Sequence, residues 1–127
     1  MNPTIEGDKF VKITRHGTAR SYDKVEGFAF ELLVQSENLE LMLVHVAAKA
    51  ETEVFRHPGE EAHLVLDGEL EVIVDGRIYR LYPGDAIWHR SDRPHKWRNP
   101  TDKSVRVVAF ASPRTSISRI IAQMKGE

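Results

Sequence analysis

From Phe28 to Ala111 the sequence is a succession of short apolar-rich runs, each cut off by a turn signal. FAFELLV (28–34) gives way to Ser36-Glu37-Asn38, and LELMLVHVAA (39–48) follows. Pro58-Gly59 precedes EAHLVL (61–66), Asp67-Gly68 separates that run from ELEVIV (69–74), and Asp75-Gly76 leads into RIYRLY (77–82). Pro83-Gly84 turns the chain into DAIWH (85–89), and HKWRN and SVRVVAFA come after it. Aspartate-glycine between two such runs predicts a hairpin at both places, because glycine accepts the positive φ of primed turns. About eight strands at this spacing, with no helix between them, predict an all-β sandwich or barrel.

The end of the chain has a different period. Ile117, Ile120, Ile121 and Met124 recur at helical spacing after Ser112-Pro113, a plausible helix start. The expectation is one domain over residues 1–127, with a barrel core at about 28–113 and a short C-terminal α-helix at about 113–125. A second layer is also expected outside the barrel. In EAHLVL, Glu61, His63 and Val65 share one face and Ala62, Leu64 and Leu66 the other, so neither face reads as solvated. Cover for the outer face has to come from a second layer or a second chain, which predicts a homodimer.

Charge bounds the partners. Lysine and arginine number 18 against 19 acidic residues, a balance that lacks the basic excess of a nucleic-acid surface. No apolar run reaches membrane-spanning length, and the first residues, MNPTIEGDKF, lack a signal-peptide core. Neither nucleic acid nor membrane is therefore expected as a partner, and cytoplasmic residence is the default. Cysteine is absent, so any metal has to be held by nitrogen and oxygen.

Two clusters offer such ligands: His57-Pro58-Gly59-Glu60-Glu61 and Pro94-His95-Lys96-Trp97-Arg98-Asn99. His57 is expected to end one strand and Glu61 to begin the next, so that the two face each other across the Pro58-Gly59 turn. His95 comes alongside only if the sheet closes. Two imidazoles and one carboxylate form a facial set with open positions, suited to a divalent transition metal. Taken singly, a histidine beside a proline is usually a surface turn residue, and a glutamate in a strand usually a solvated one.

The spacing goes further. His57, three residues, Glu61, six residues and Gly68 resemble the later part of the first cupin motif. Gly84, followed eleven residues later by His95 and then by Asn99, resembles the second. Over about residues 28 to 113 the chain is similar to small single-domain cupins, and to the cupin half of helix-turn-helix regulators. The resemblance implies a double-stranded β-helix, or jelly-roll barrel, with one divalent metal per chain at His57, Glu61 and His95. It leaves Fe, Mn, Ni, Zn and Co undistinguished. Gly68 and Gly84 would be turn glycines, and Asn99 a structural residue closing the second motif.

One departure bears on the site. The family's first motif usually opens with His-x-His, and here the first of that pair is Phe55, which cannot ligate. A four-ligand centre becomes a three-ligand one. By parity, Phe55, His63 and Trp97 are expected to line the pocket, with His63 a partner of Glu61, a substrate contact, a replacement ligand if the strand is shifted, or a plain core residue, and Trp97 equally a core-packing residue. His45 and Tyr79 are weaker candidates, and His16 and His89 are expected in loops or on the surface. No phosphate loop and no serine or cysteine nucleophile signature is present. Three functions remain: a metal-dependent protein, such as an oxygenase or isomerase, converting a small polar molecule; a sensory module that binds one; and a metal-free structural barrel.

Overall fold

The protein was analysed as a computed structural model that describes residues 5–7 and 9–114. The C-terminal helix expected at about 113–125 falls mostly outside the described residues.

Three short N-terminal strands, which the sequence reading did not separate, come first: β1 (Ile5–Gly7), β2 (Lys12–Thr14) and β3 (Arg20–Val25). Eight more match the expected runs: β4 (Phe28–Gln35), β5 (Glu40–Val46), β6 (Glu60–Asp67), β7 (Leu70–Val74), β8 (Arg77–Leu81), β9 (Ala86–Arg90), β10 (His95–Arg98) and β11 (Val105–Ser112). They form a six-stranded sheet in the order β3-β4-β5-β11-β6-β9 and a three-stranded sheet in the order β10-β7-β8; β1 and β2 pair separately. Every pairing is antiparallel.

Alternation places the core. On β5, Met42, Val44 and Val46 point inward; on β11, Val105, Val107 and Ala109 do. They meet Leu70, Val72 and Leu81 of the smaller sheet in one apolar cluster, which the half-buried Trp97 flanks. Each fully buried valine or leucine there contributes about 1.5–3 kcal/mol relative to exposure. The smaller sheet is also tied by charge. In register across three strands, Arg98 and Arg80 both bond the buried Glu71, at 2.6 and 2.7 Å. Arg80, with Arg98, holds the Glu71 carboxyl below the usual carboxylate range.

The two aspartate-glycine dipeptides do different things. Asp75-Gly76 makes the expected hairpin between β7 and β8, with φ of 53° and 77° as a primed turn requires. Asp67-Gly68 does not. β6 pairs with β11 and β9, whereas β7 pairs with β10 and β8, so the chain changes sheets at this point. Gly68 is a turn glycine nonetheless: its φ is 82°, and a Cβ there would lie 2.7 Å from the Ser104 carbonyl oxygen. Gly84, after Pro83, sits at the opposite crossing, from β8 back to β9.

The outer face of β6 is partly exposed in the single chain. Leu64 and Leu66 are 38% and 37% exposed, so no second layer of the described chain covers them.

Candidate metal centre

Thirteen residues separate β5 from β6, and this connection carries His57. His57 does not end a strand, as the sequence suggested; it lies in an extended stretch that pairs with β10 only by isolated bridges. Phe55 and His95 exchange backbone hydrogen bonds of 2.7 and 3.0 Å, and the His57 amide donates to the Ser91 carbonyl at 2.9 Å. These bonds bring the His57 segment against the strand that carries His95. Asn99 anchors the far end of β10. Fully buried, its side-chain amide donates to the carbonyls of Ala47 and Lys103 at 3.0 and 2.7 Å, and its oxygen accepts from Thr101.

Glu61 is the centre of the cluster. Its Oε2 lies 3.1 Å from His57 Nε2 and 3.0 Å from His95 Nε2, and accepts a hydrogen bond of 2.7 Å from Ser91 Oγ. Its Oε1 lies 3.4 Å from His63 Nε2. Burial opposes ionisation of Glu61, but the contacts of His57, His63 and His95 outweigh it and hold the carboxyl far below the usual range. Burial likewise pushes His95 down, and Glu61 more than reverses this, so its value is raised.

The outer nitrogens settle which ring atoms face the centre. His95 Nδ1 is 2.7 Å from the Arg93 carbonyl, and His57 Nδ1 is 3.3 Å from that of Pro58. A carbonyl only accepts, so each Nδ1 carries a proton, and a neutral ring then presents its Nε2 lone pair inward. Lone pairs and a carboxylate oxygen converging at 3 Å repel unless a cation lies among them or a ring takes a second proton. The buried His95 Nε2 has no hydrogen-bond partner. An ion at about 2.1 Å from nitrogen and oxygen donors sets neighbouring donors about 3 Å apart. The donor set therefore fits a divalent metal, and the backbone carbonyls supply the outer hydrogen bonds that fix ligating histidines.

A cavity of about 70 Å³ adjoins these side chains. Phe55 and Trp97 line it, with Phe28, Phe30 and Met42 adding apolar wall. His63 also lines it, is 2% exposed, and meets the Trp97 ring edge-on at 4.8 Å. No lysine or arginine borders the cavity among the described residues.

His45 and Tyr79 stay apart from this cluster. His45 Nε2 bonds Glu31 at 2.6 Å, Tyr79 is on the exposed face of β8, and His16 is in an exposed loop. His89 corrects the expectation of a loop or surface residue. It is 5% exposed, lies opposite Glu61 in the β6–β9 register, and its ring centre is 4.7 Å from that of His95. Its parity with Ile87 carried that signal, but Trp88 between them offered the larger apolar side chain and so the more obvious core anchor. Ser91 was missed as well, since nothing in its local sequence marks a serine that will bond a carboxylate 30 residues away.

Comparison with known proteins agrees with this geometry. The cupin domain family Cupin_2 matches residues 42–111. A dimethylsulfoniopropionate lyase, DddQ of Ruegeria pomeroyi, is 31% identical over 94 residues, 68% of this chain and 47% of its own. The HTH-type transcriptional regulator PuuR of Escherichia coli is 30% identical over 63 residues, 50% of this chain and 34% of its own. The chain thus spans less than half the length of these relatives. Among solved structures, an RmlC-like cupin from Shewanella frigidimarina superposes with a TM-score of 0.73 at 22% identity, covering 80% of this chain and 89% of that one. With two facing antiparallel sheets, residues of both motifs on one cavity and this family match, the chain belongs to the cupin family.

Proposed function

We propose that the chain binds one divalent transition metal at His57, Glu61 and His95 and uses the open positions to bind or convert a small molecule. The observation that carries this is the convergence of two inward Nε2 atoms on one oxygen of an ionised, partly buried glutamate. When bound, the metal supplies Lewis acidity and a template. The protein's own residues do the rest. Ser91 holds Glu61 in its rotamer, the backbone carbonyls of Pro58 and Arg93 orient the two imidazoles, and Phe55 and Trp97 exclude water beside them. With no lysine or arginine on the cavity wall among the described residues, a carboxylate or carbonyl group of the ligand would find its cation in the metal. Likeness to a dimethylsulfoniopropionate lyase supports conversion of a small carboxylate. Likeness to a transcriptional regulator supports the second reading, capture of such a ligand without conversion.

Protein purified anaerobically is expected to carry close to one divalent metal per chain, with His57→Ala and His95→Ala each losing most of it. Metal content unchanged in both variants overturns the assignment. The same reading places the chain in the cytoplasm as a homodimer, its second copy covering the outward Leu64, Leu66 and Trp88 of the six-stranded sheet.

A further inference from the structure

We infer that Glu61, His63 and His89 form a second divalent-cation position beside the first, with Glu61 as the shared, bridging ligand. The inference rests on the metal assignment made above and extends it. Its starting point is three buried imidazole nitrogens without a hydrogen-bond partner: Nδ1 and Nε2 of His63, and Nε2 of His89. An unsatisfied buried polar atom is costly, so a cluster of them in one place calls for a ligand.

The orientation of His89 is that of a metal ligand. Its Nδ1 donates to the Arg90 carbonyl at 3.0 Å, which leaves the Nε2 lone pair facing inward, as in His57 and His95. β-sheet register puts it there: Glu61 faces His89, and His63 faces Ile87, on the inner side of the β6–β9 pair. One donor atom from each of Glu61, His63 and His89 lies within 4.8 Å of the others. An ion at about 2.1 Å from each of three donors sets them about 3–3.6 Å apart, so the set closes on one ion as the longer spacings shorten by about 1–2 Å.

The two oxygens of Glu61 divide the work. Oε2 faces His57 and His95, and Oε1 faces His63. A carboxylate presented this way bridges two ions, which in two-metal sites stand about 3.5–4 Å apart. Glu61 is the only carboxylate on the cavity wall among the described residues, so two dications leave an excess of positive charge. Repulsion then makes the second position the weaker one. The excess also selects an anion of the carboxylate class as the ligand that spans both ions.

The test uses the whole chain, stripped with a chelator and titrated with Mn(II) alone. Two equivalents are expected to bind, the second at least tenfold more weakly, and the electron paramagnetic resonance signal is expected to show exchange coupling as the second fills. His89→Gln, close in size, and His63→Ala are each expected to lose the second equivalent and the coupling while keeping the first. Circular dichroism checks that both variants fold. One equivalent in the unmodified protein, unchanged in His89→Gln, overturns the second position and leaves the first standing. Loss of the first equivalent in His89→Gln also overturns it, because His89 then belongs to the first ion. No binding at all overturns the metal reading beneath it.

Discussion

Ser91→Ala tests whether the hydrogen bond on Glu61 controls metal binding at the proposed site. Ser91 is fully buried, and its hydroxyl donates to Glu61 Oε2 at 2.7 Å, the same oxygen that lies between His57 and His95. A hydrogen bond to a charged group is worth about 1.5–3 kcal/mol. Without it the carboxylate gains rotamer freedom and must be reoriented when metal binds. Loss of such an outer partner lowers metal affinity about 10–100-fold, and each factor of ten is about 1.4 kcal/mol, so the two estimates agree. Competition against a chromophoric chelator measures the affinity directly. Thermal denaturation with and without metal separates it from ordinary destabilisation. At a concentration of metal 100 times Kd the ion stabilises the fold by about 2.7 kcal/mol, and a tenfold weaker site loses about half of that. An affinity within twofold of the unmodified protein, with the fold intact, refutes the idea that Ser91 positions Glu61.

Two further outcomes follow from the same structure. Because Glu61 raises His95 despite its burial while Glu61 itself is held low, the metal-free pair contributes stability that is full between about pH 4.5 and 6.5, is lost as pH falls below that range, and fades as pH rises through the raised His95 value. Metal binding displaces that proton, so the metal-induced rise in Tm is expected to grow with pH across this window, and a flat or falling rise refutes it. At the outer sheet face, Trp88 is 60% exposed beside Leu64, and Trp88→Arg is expected to halve the mass seen by sedimentation at micromolar concentration; a monomer already present before the substitution refutes the dimer.

The strands and their faces were legible because alternation is a local property. Met42, Val44 and Val46 declare their inward side without reference to any other part of the chain. The clustering of His57, Glu61 and His95 was legible through spacing, since the three keep the distances of two cupin motifs and lie together in the fold. Partnership between strands was not. Asp67-Gly68 carries the same hairpin signal as Asp75-Gly76, yet only the latter joins paired strands, because pairing depends on which sheet buries each side.

By itself, then, the sequence determined that this chain makes an antiparallel β fold with one nitrogen and oxygen donor set at its motifs. Local chemistry suffices for that: turn glycines, period-two apolar runs and the absence of cysteine. Only the tertiary structure decided which groups share the site. Pairing of β6 with β9 sets His89 opposite Glu61, and the path of the 51–57 segment along β10 brings Ser91 and His57 to the same carboxylate. Those neighbours are 28, 30 and 4 residues from Glu61 in sequence, and sheet closure, which no local signal encodes, is what makes them one cluster.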